Sequence, residues 1–316
     1  MSTYSRWIYA FKVMSWPKLI VPFLLGQSFG IYKSSGNVFL PFFLGMAFTI
    51  FLLLYIVLLN DYADQKVDAL KRKMFPNGCS PKTIPDHILP ARSVLFAGVL
   101  ASVLCLISAS LSELILDRPY VVLFAIICIL VFAAYSLPPI KLNYRGGGEF
   151  LEMMGVGCML PIFHYYLQLG FEITFDVPFL TIVVISTIFA LASAMASGLS
   201  DEESDRAGGK QTFVTEFGNK NVKMLINSLT FIAVILIDGY LILVQRIVPL
   251  TLSLVLILFL LYQIRFLFKL SPLAKTNVFD MQRNYKDYLH RIIWGSMTLV
   301  SLSFLVSKYV GSEYFL

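Results

Sequence analysis

The chain has 316 residues, of which 58% are apolar and 14% charged, with a mean hydropathy of +0.76. Soluble domains carry roughly 25% charged residues and disordered chains are more polar still, so both are excluded and an integral membrane protein is indicated. The net charge of +6 does not point to nucleic acid, because the basic residues lie in short loops between apolar runs rather than on one soluble face.

The N-terminal segment, MSTYSRWIYAFKVMSW, has neither the apolar core nor the small-residue cleavage site of a signal peptide. A spanning helix needs about 20 mostly apolar residues. Nine such runs follow, near 17–32, 38–60, 92–111, 119–135, 150–169, 177–200, 223–244, 248–268 and 290–309. The first is short and carries Gly26, Gln27 and Gly30, which predicts a helix that is tilted or packed closely on a neighbour. Of the 25 Lys and Arg residues, 20 fall in the N-terminal segment and the loops after the second, fourth, sixth and eighth runs. The opposite side carries only Lys33, Arg118, Arg246 and Lys308, and Arg265 lies within a run. The positive-inside rule therefore predicts a cytoplasmic N-terminus and cytoplasmic even-numbered loops, with the C-terminus across the membrane. Cys79, Cys105, Cys128 and Cys158 have no paired spacing, so no disulfide or zinc framework is expected. No linker or short repeat divides the chain, and residues 1–316 are read as one transmembrane domain.

Two acidic motifs follow the second and sixth runs. The first is Asn60-Asp61-Tyr62-Ala63-Asp64-Gln65-Lys66-Val67-Asp68. At roughly 100° per residue, Asn60, Asp61, Asp64 and Asp68 share about a 100° arc of a continuing helix, and Lys71 lands on it too. The second is Asp201-Glu202-Glu203-Ser204-Asp205-Arg206, closed by Gly208-Gly209 and followed by Lys210, Gln211 and Thr212. Carboxylates about 4 Å apart at an effective dielectric near 20 repel by about 4 kcal/mol per pair. Such a face persists where solvent screens it, where the acids protonate, or where a cation lies between them. Mg²⁺ is usually held by one or two carboxylates plus phosphate oxygens, so two clusters facing one cavity suit Mg²⁺ around a diphosphate. Lys71, Arg206 and Lys210 are the adjacent cations able to meet its remaining charge. A lone D-x-x-D is more often a solvated helix end; two clusters on one side, each ending a span, outweigh that reading.

The spacings N-D-x-x-D-x-x-x-D and D-x-x-x-D-R-x-x-G-x-x-T, the latter on Asp201, Asp205, Arg206, Gly209 and Thr212, resemble the paired signatures of the UbiA superfamily of intramembrane prenyltransferases. Between them, Tyr135-Ser136-Leu137-Pro138-Pro139-Ile140-Lys141-Leu142 and Arg145-Gly146-Gly147-Gly148-Glu149 resemble a Y-S-x-P-P-x-x-L…G-x-G-E stretch of several branches. The resemblance implies an all-α polytopic protein, with nine transmembrane helices around a central cavity beneath cytoplasmic cap loops. It implies transfer of an isoprenoid chain from its diphosphate to an acceptor, often an aromatic ring. It also implies that Asn60, Asp61, Asp64, Asp68, Asp201 and Asp205 bind the donor through Mg²⁺, with Lys141 and Arg145 as phosphate contacts. Some members carry Y-x-x-x-K, whereas Pro139 stands at that spacing from Tyr135 here. The Pro-Pro and Gly-x-Gly-Glu features lean toward 1,4-dihydroxy-2-naphthoate as acceptor; 4-hydroxybenzoate, homogentisate and other aromatic metabolites are the alternatives.

An allylic cation is stabilised by aromatic π faces, and Tyr135 is the candidate for that role. Most other aromatic residues are packing or interface residues. Asp238 lies mid-span and is expected to pair within the bundle. His164 with Gln168 reads as a satisfied buried pair rather than an acceptor contact. Glu152 suits a helix N-terminus, whereas Glu149 belongs to the recognised stretch and is a stronger functional candidate. Arg72 and Lys73 fit topology or lipid headgroups. The competing function is a carrier of an anionic lipid or metabolite, which midplane charges and broken helices would favour; the charges here cluster at one interface instead.

Overall fold

The structure is a computed structural model that describes residues 1–78, 82–243 and 250–310. All its regular secondary structure is helical among those residues. Cys79, Arg246 and the run ends at Val244 and Val248 lie outside them. A short α1 (Thr3–Ala10), capped by Ser2, leads through a bend of 57° into α2 (Pro17–Lys33). There follow α3 (Phe39–Met74), α4 (Ala91–Leu116) and α5 (Val121–Ser136). The next span is composite: α6 (Gly148–Glu152), a π-helical turn at Met153–Met159, and α7 (Leu160–Leu169). Then come α8 (Val177–Gly198), the short α9 (Glu202–Ala207), α10 (Phe213–Leu243), α11 (Leu250–Leu270) and α12 (Phe279–Val310).

Seven of these helical stretches are long and apolar enough to cross a membrane, and the bent α1–α2 pair makes an eighth. Helix α5, with 16 residues, is about 24 Å long and so shorter than a bilayer core of about 30 Å. It nevertheless occupies the position of the fourth predicted run, so the nine runs each correspond to a helix. Three ends differ from the hydropathy reading. Helix α3 runs on to Met74 and α12 begins at Phe279, because amphipathic turns continue a helix after apolar composition ends. Helix α10 starts at Phe213 and breaks at Gly218, whose φ of 77° only glycine adopts readily.

The buried side chains form two main groups. One joins α3, α4 and α5, and the other joins α8, α10, α11 and α12. Helices α2 and α7 contribute to both. Their close contact depends on Gly26, where a Cβ would stand 2.2 Å from the Pro161 carbonyl oxygen; this is the close packing that the first run predicts. His164 is fully buried and satisfied: Nε2 lies 2.9 Å from Thr49 Oγ1 and Nδ1 3.3 Å from Gln27 Nε2, and Gln168 completes the group through Gln27. Asp238 departs from its expected pairing, for its buried Oδ1 has no hydrogen-bond partner among the described residues. Cys105, Cys128 and Cys158 are free thiols.

Candidate active site

A cavity of about 340 Å³ opens between the two packed groups. Its inner walls are apolar, with Leu52 and Ile56 of α3, Phe132 of α5, and Val156 and Met159 of the π turn. Its other end is polar and gathers Asn60, Asp64, Asp201, Asp205 and Lys210. Both acidic motifs therefore converge on one chamber, although they are far apart in the chain.

The reason is the continuation of α3 and the turn after α8. Helix α3 carries Asn60, Asp61, Asp64 and Asp68 beyond its apolar run on one face, as the spacing predicts. Asp201 starts α9, and Gly208–Gly209 ends it, Gly209 at a φ of +74°. That turn points Lys210 back at the chamber.

Each motif aspartate is met by a lysine. Lys12 pairs with Asp61, Lys71 with Asp201, and Lys82 with Asp68 at 2.7 Å. Lys210 is shared, 2.9 Å from Asp64 and 3.9 Å from Asp205. The Tyr144 hydroxyl donates to Asp64 at 2.9 Å, Thr83 donates to Asp61 at 2.6 Å, and Ser136 donates to Asn60 at 3.3 Å. Burial pushes the Asp205 carboxyl up to about 6, Lys210 opposing the rise and Asp64 adding to it. For Lys210, burial disfavours the ammonium, but Asp64 and Asp205 outweigh it and its pKa is raised.

The motif residues that face the chamber, three carboxylates and one amide, offer oxygen ligands, the chemistry of a hard divalent cation that also keeps water and phosphate oxygens. Among the described residues no three acidic, histidine or cysteine groups converge tightly enough to form a metal cluster by themselves. Lysines stand between the carboxylates, so a metal at this place needs ligand oxygens from a partner such as phosphate.

Of the remaining predicted residues, Tyr135 lines the cavity and stacks on Phe132 with centroids 5.7 Å apart. Lys141 lies over the Tyr144 ring at 3.4 Å, near the chamber but not on its wall. Arg145 is exposed, and Arg206 turns outward to Glu202 at 3.6 Å; neither lines the cavity. Glu149 does line it, and its Oε1 accepts from the Phe213 N–H at 2.9 Å. Glu152 is more than a helix-end charge, because it pairs with Lys18 at 2.8 Å in the cavity wall. Arg72 grips Asp86 with two nitrogens, at 2.8 and 2.6 Å, which gives it a structural role.

Sequence reasoning missed Lys12, Lys18, Lys82 and Tyr144 as site residues. Lys12, Lys18 and Lys82 were legible only as topological charges, and the signal that identifies them is a count: five motif aspartates gathered at one place, three of them buried, require cations nearby.

Comparison with known proteins bears on this arrangement. Residues 19–285 match the family model described as the UbiA prenyltransferase family. A search of curated proteins found no match. The fold is similar to that of a UbiA homologue from Archaeoglobus fulgidus bound to DMAPP and Mg²⁺, with a TM-score of 0.64 and 17% identity over 92% of this chain and 99% of that one. It is also similar to the apo structure of a UbiA homologue from Aeropyrum pernix K1, with a TM-score of 0.61 and 14% identity over 92% of this chain and 97% of that one. A structure of digeranylgeranylglyceryl phosphate synthase gives 0.58 and 18%, covering 97% of this chain and 98% of that one. A multi-pass helical bundle with acidic motifs and lysines at one end of an apolar chamber is the class of protein that fold and site define. The chain belongs to the UbiA prenyltransferase family.

Proposed function

We propose that this chain transfers a prenyl group from an allylic prenyl diphosphate to an aromatic quinone precursor, 1,4-dihydroxy-2-naphthoate being the favoured acceptor, with Mg²⁺ accompanying the donor diphosphate. The observation that carries the proposal is the convergence of Asn60, Asp64, Asp201, Asp205 and Lys210 at the polar end of a chamber whose other walls are apolar. Mg²⁺ bound in the family's structures with DMAPP supports the choice of metal.

Asn60, Asp64, Asp201 and Asp205 are the residues on the chamber wall that would hold Mg²⁺, with Asp61 and Asp68 behind them. The ion, when bound, draws charge from the departing diphosphate oxygens. The chain's own residues do the rest. Lys210, Lys12 and Lys71, each on a carboxylate in the free site, exchange those partners for phosphate oxygens, so the site stays near neutral as metal and diphosphate enter together. The allylic C–O bond breaks with its electron pair leaving on diphosphate. Phe132 and Tyr135 present stacked rings to the developing carbocation. Leu52, Ile56 and Met159 keep water from it. An electron-rich ring carbon of the acceptor then forms the new C–C bond and gives up its proton to the released diphosphate. The Tyr135–Leu142 and Arg145–Glu149 stretches support the naphthoate acceptor. The distribution of cations supports a cytoplasmic polar end.

The test is diphosphate release by purified protein given geranylgeranyl diphosphate with 1,4-dihydroxy-2-naphthoate or 4-hydroxybenzoate, with and without Mg²⁺. The proposal expects Mg²⁺-dependent release and a prenylated naphthoate. Product from hydroxybenzoate alone would overturn the acceptor, and release indifferent to Mg²⁺ would overturn the role of the metal.

A further inference from the structure

A second, smaller cavity of about 100 Å³ lies beside the reaction chamber, between the end of α3, the end of α8 and the start of α12. Among the described residues its polar lining is Lys71, Ser200, Gln282, Arg283 and Lys286, and no carboxylate lines it. Phe279 closes one wall, packed on Phe75 at 5.2 Å and against Gly78, where a Cβ would stand 2.6 Å from the ring. The charges are unevenly matched. Lys71 is paired with Asp201, on the chamber side. Arg283, itself 62% exposed, has only the exposed Asp280, at 4.0 Å, among the described residues. Lys286 makes no hydrogen bond or ion pair among the described residues, and the adjacent Asp287 is exposed. Gln282 is 3% exposed; its amide nitrogen donates to the Leu199 carbonyl at 2.8 Å, and its Oε1 is buried without a partner.

A partly buried lysine without a counter-ion beside a buried unpaired acceptor is unfavourable unless something brings it an anion and a hydrogen-bond donor. We propose that this cavity is a second anion site, built for a phosphate group. A hydrogen phosphate or phosphomonoester fits on three counts. Its oxygens accept from Lys286 and Arg283, and from Ser200 once that hydroxyl turns from Asp201 Oδ1, to which it donates at 3.2 Å. Its P–O–H can donate to Gln282 Oε1. The cavity is large enough to admit a phosphate group. Lys71 stands on the partition: it lines this cavity and binds Asp201, which lines the chamber. A phosphate here therefore competes with Asp201 for Lys71. Occupancy of this cavity and donor binding in the chamber are thus coupled, each changing the other's affinity by the same factor. The site itself needs neither Mg²⁺ nor the prenyl-transfer reading.

The phosphate has two possible sources, free phosphate and the headgroup of an anionic phospholipid, and the test separates them. Inorganic phosphate is titrated calorimetrically into full-length protein in nanodiscs of neutral phosphatidylcholine, with a chelator present so that the chamber's carboxylates disfavour anions. The titration is repeated in nanodiscs containing phosphatidic acid. Wild type is expected to bind phosphate in neutral lipid. Lys286→Gln and Arg283→Gln should each weaken this about tenfold while Lys286→Arg restores it. Mg²⁺-dependent donor binding by the two Gln variants checks that they are folded. Loss of phosphate binding in the phosphatidic acid discs identifies the headgroup as occupant; unchanged binding identifies free phosphate. Phosphate and phosphatidic acid that bind wild type and both Gln variants alike would overturn the site.

Discussion

At the scale of single residues, the site is governed by which lysine holds which carboxylate. Asp64 and Asp205 are both buried and share Lys210. Removing one partner of a buried pair costs about 3 kcal/mol, because the other charge is left without compensation. Lys210→Met should therefore lower the melting temperature clearly, whereas Lys82→Met, at a pair more open to solvent, should cost no more than about 1 kcal/mol. Thermal denaturation of the two variants in the same detergent checks this order. Asp205 gives a pH prediction. Its folded pKa, near 6, is raised above the ordinary 3.8, so between those values the folded chain binds more protons than the unfolded one. Stability of the metal-free protein should then fall as pH rises from about 4 to 6 and level off above, and Asp205→Asn should flatten that slope. The aspartates were legible in the sequence because a helix spaces them regularly. Lys71 and Lys210 were legible beside the motifs, but which carboxylate each lysine holds was not: Lys12 lies 49 positions from Asp61 and Lys210 lies 146 from Asp64, and no local pattern links such pairs.

At the scale of elements, the π turn at Met153–Met159 places Gly155, Val156 and Met159 in the chamber wall. One extra residue in a helical turn shifts the side chains that follow, and such turns recur at functional sites. Two of its glycines serve different ends. A Cβ at Gly157 would stand 2.6 Å from Thr187 Cα, so this glycine allows α8 to approach. A Cβ at Gly155 meets nothing within 4 Å, and Gly155 lines the cavity. Gly157→Leu should destabilise the fold by about 1–3 kcal/mol through overpacking. Gly155→Leu should leave the melting temperature near wild type but reduce use of geranylgeranyl diphosphate about tenfold relative to dimethylallyl diphosphate, since a new side chain takes up cavity depth. Parallel melting curves and donor competition assays distinguish them. The sequence carries Gly155 and Gly157 in plain view, yet their spacing does not distinguish a π turn from an ordinary α-helix, so periodicity reads one uninterrupted span.

At the scale of the whole molecule, hydropathy located the helical spans, seven or eight of which are long and apolar enough to cross a membrane among the described residues, because lipid-facing and core-facing surfaces are both apolar. The ends were harder to read, since helix α3 outlasts its apolar composition by several turns and those turns carry the first motif. Orientation follows from cations rather than from contacts. Single-cysteine variants Glu203→Cys and Asp117→Cys should be labelled by a membrane-impermeant reagent from the cytoplasmic and opposite sides respectively; the reverse pattern would invert the topology. The central claim is that two motifs far apart in the chain hold one donor diphosphate. Its most direct test is Mg²⁺-dependent binding of a non-reactive thiolodiphosphate analogue of the donor to wild type, Asp64→Asn and Asp201→Asn, each checked for intact melting. Both variants should lose about 100-fold in affinity. A folded Asp64→Asn or Asp201→Asn protein that binds the analogue as wild type does would contradict the account.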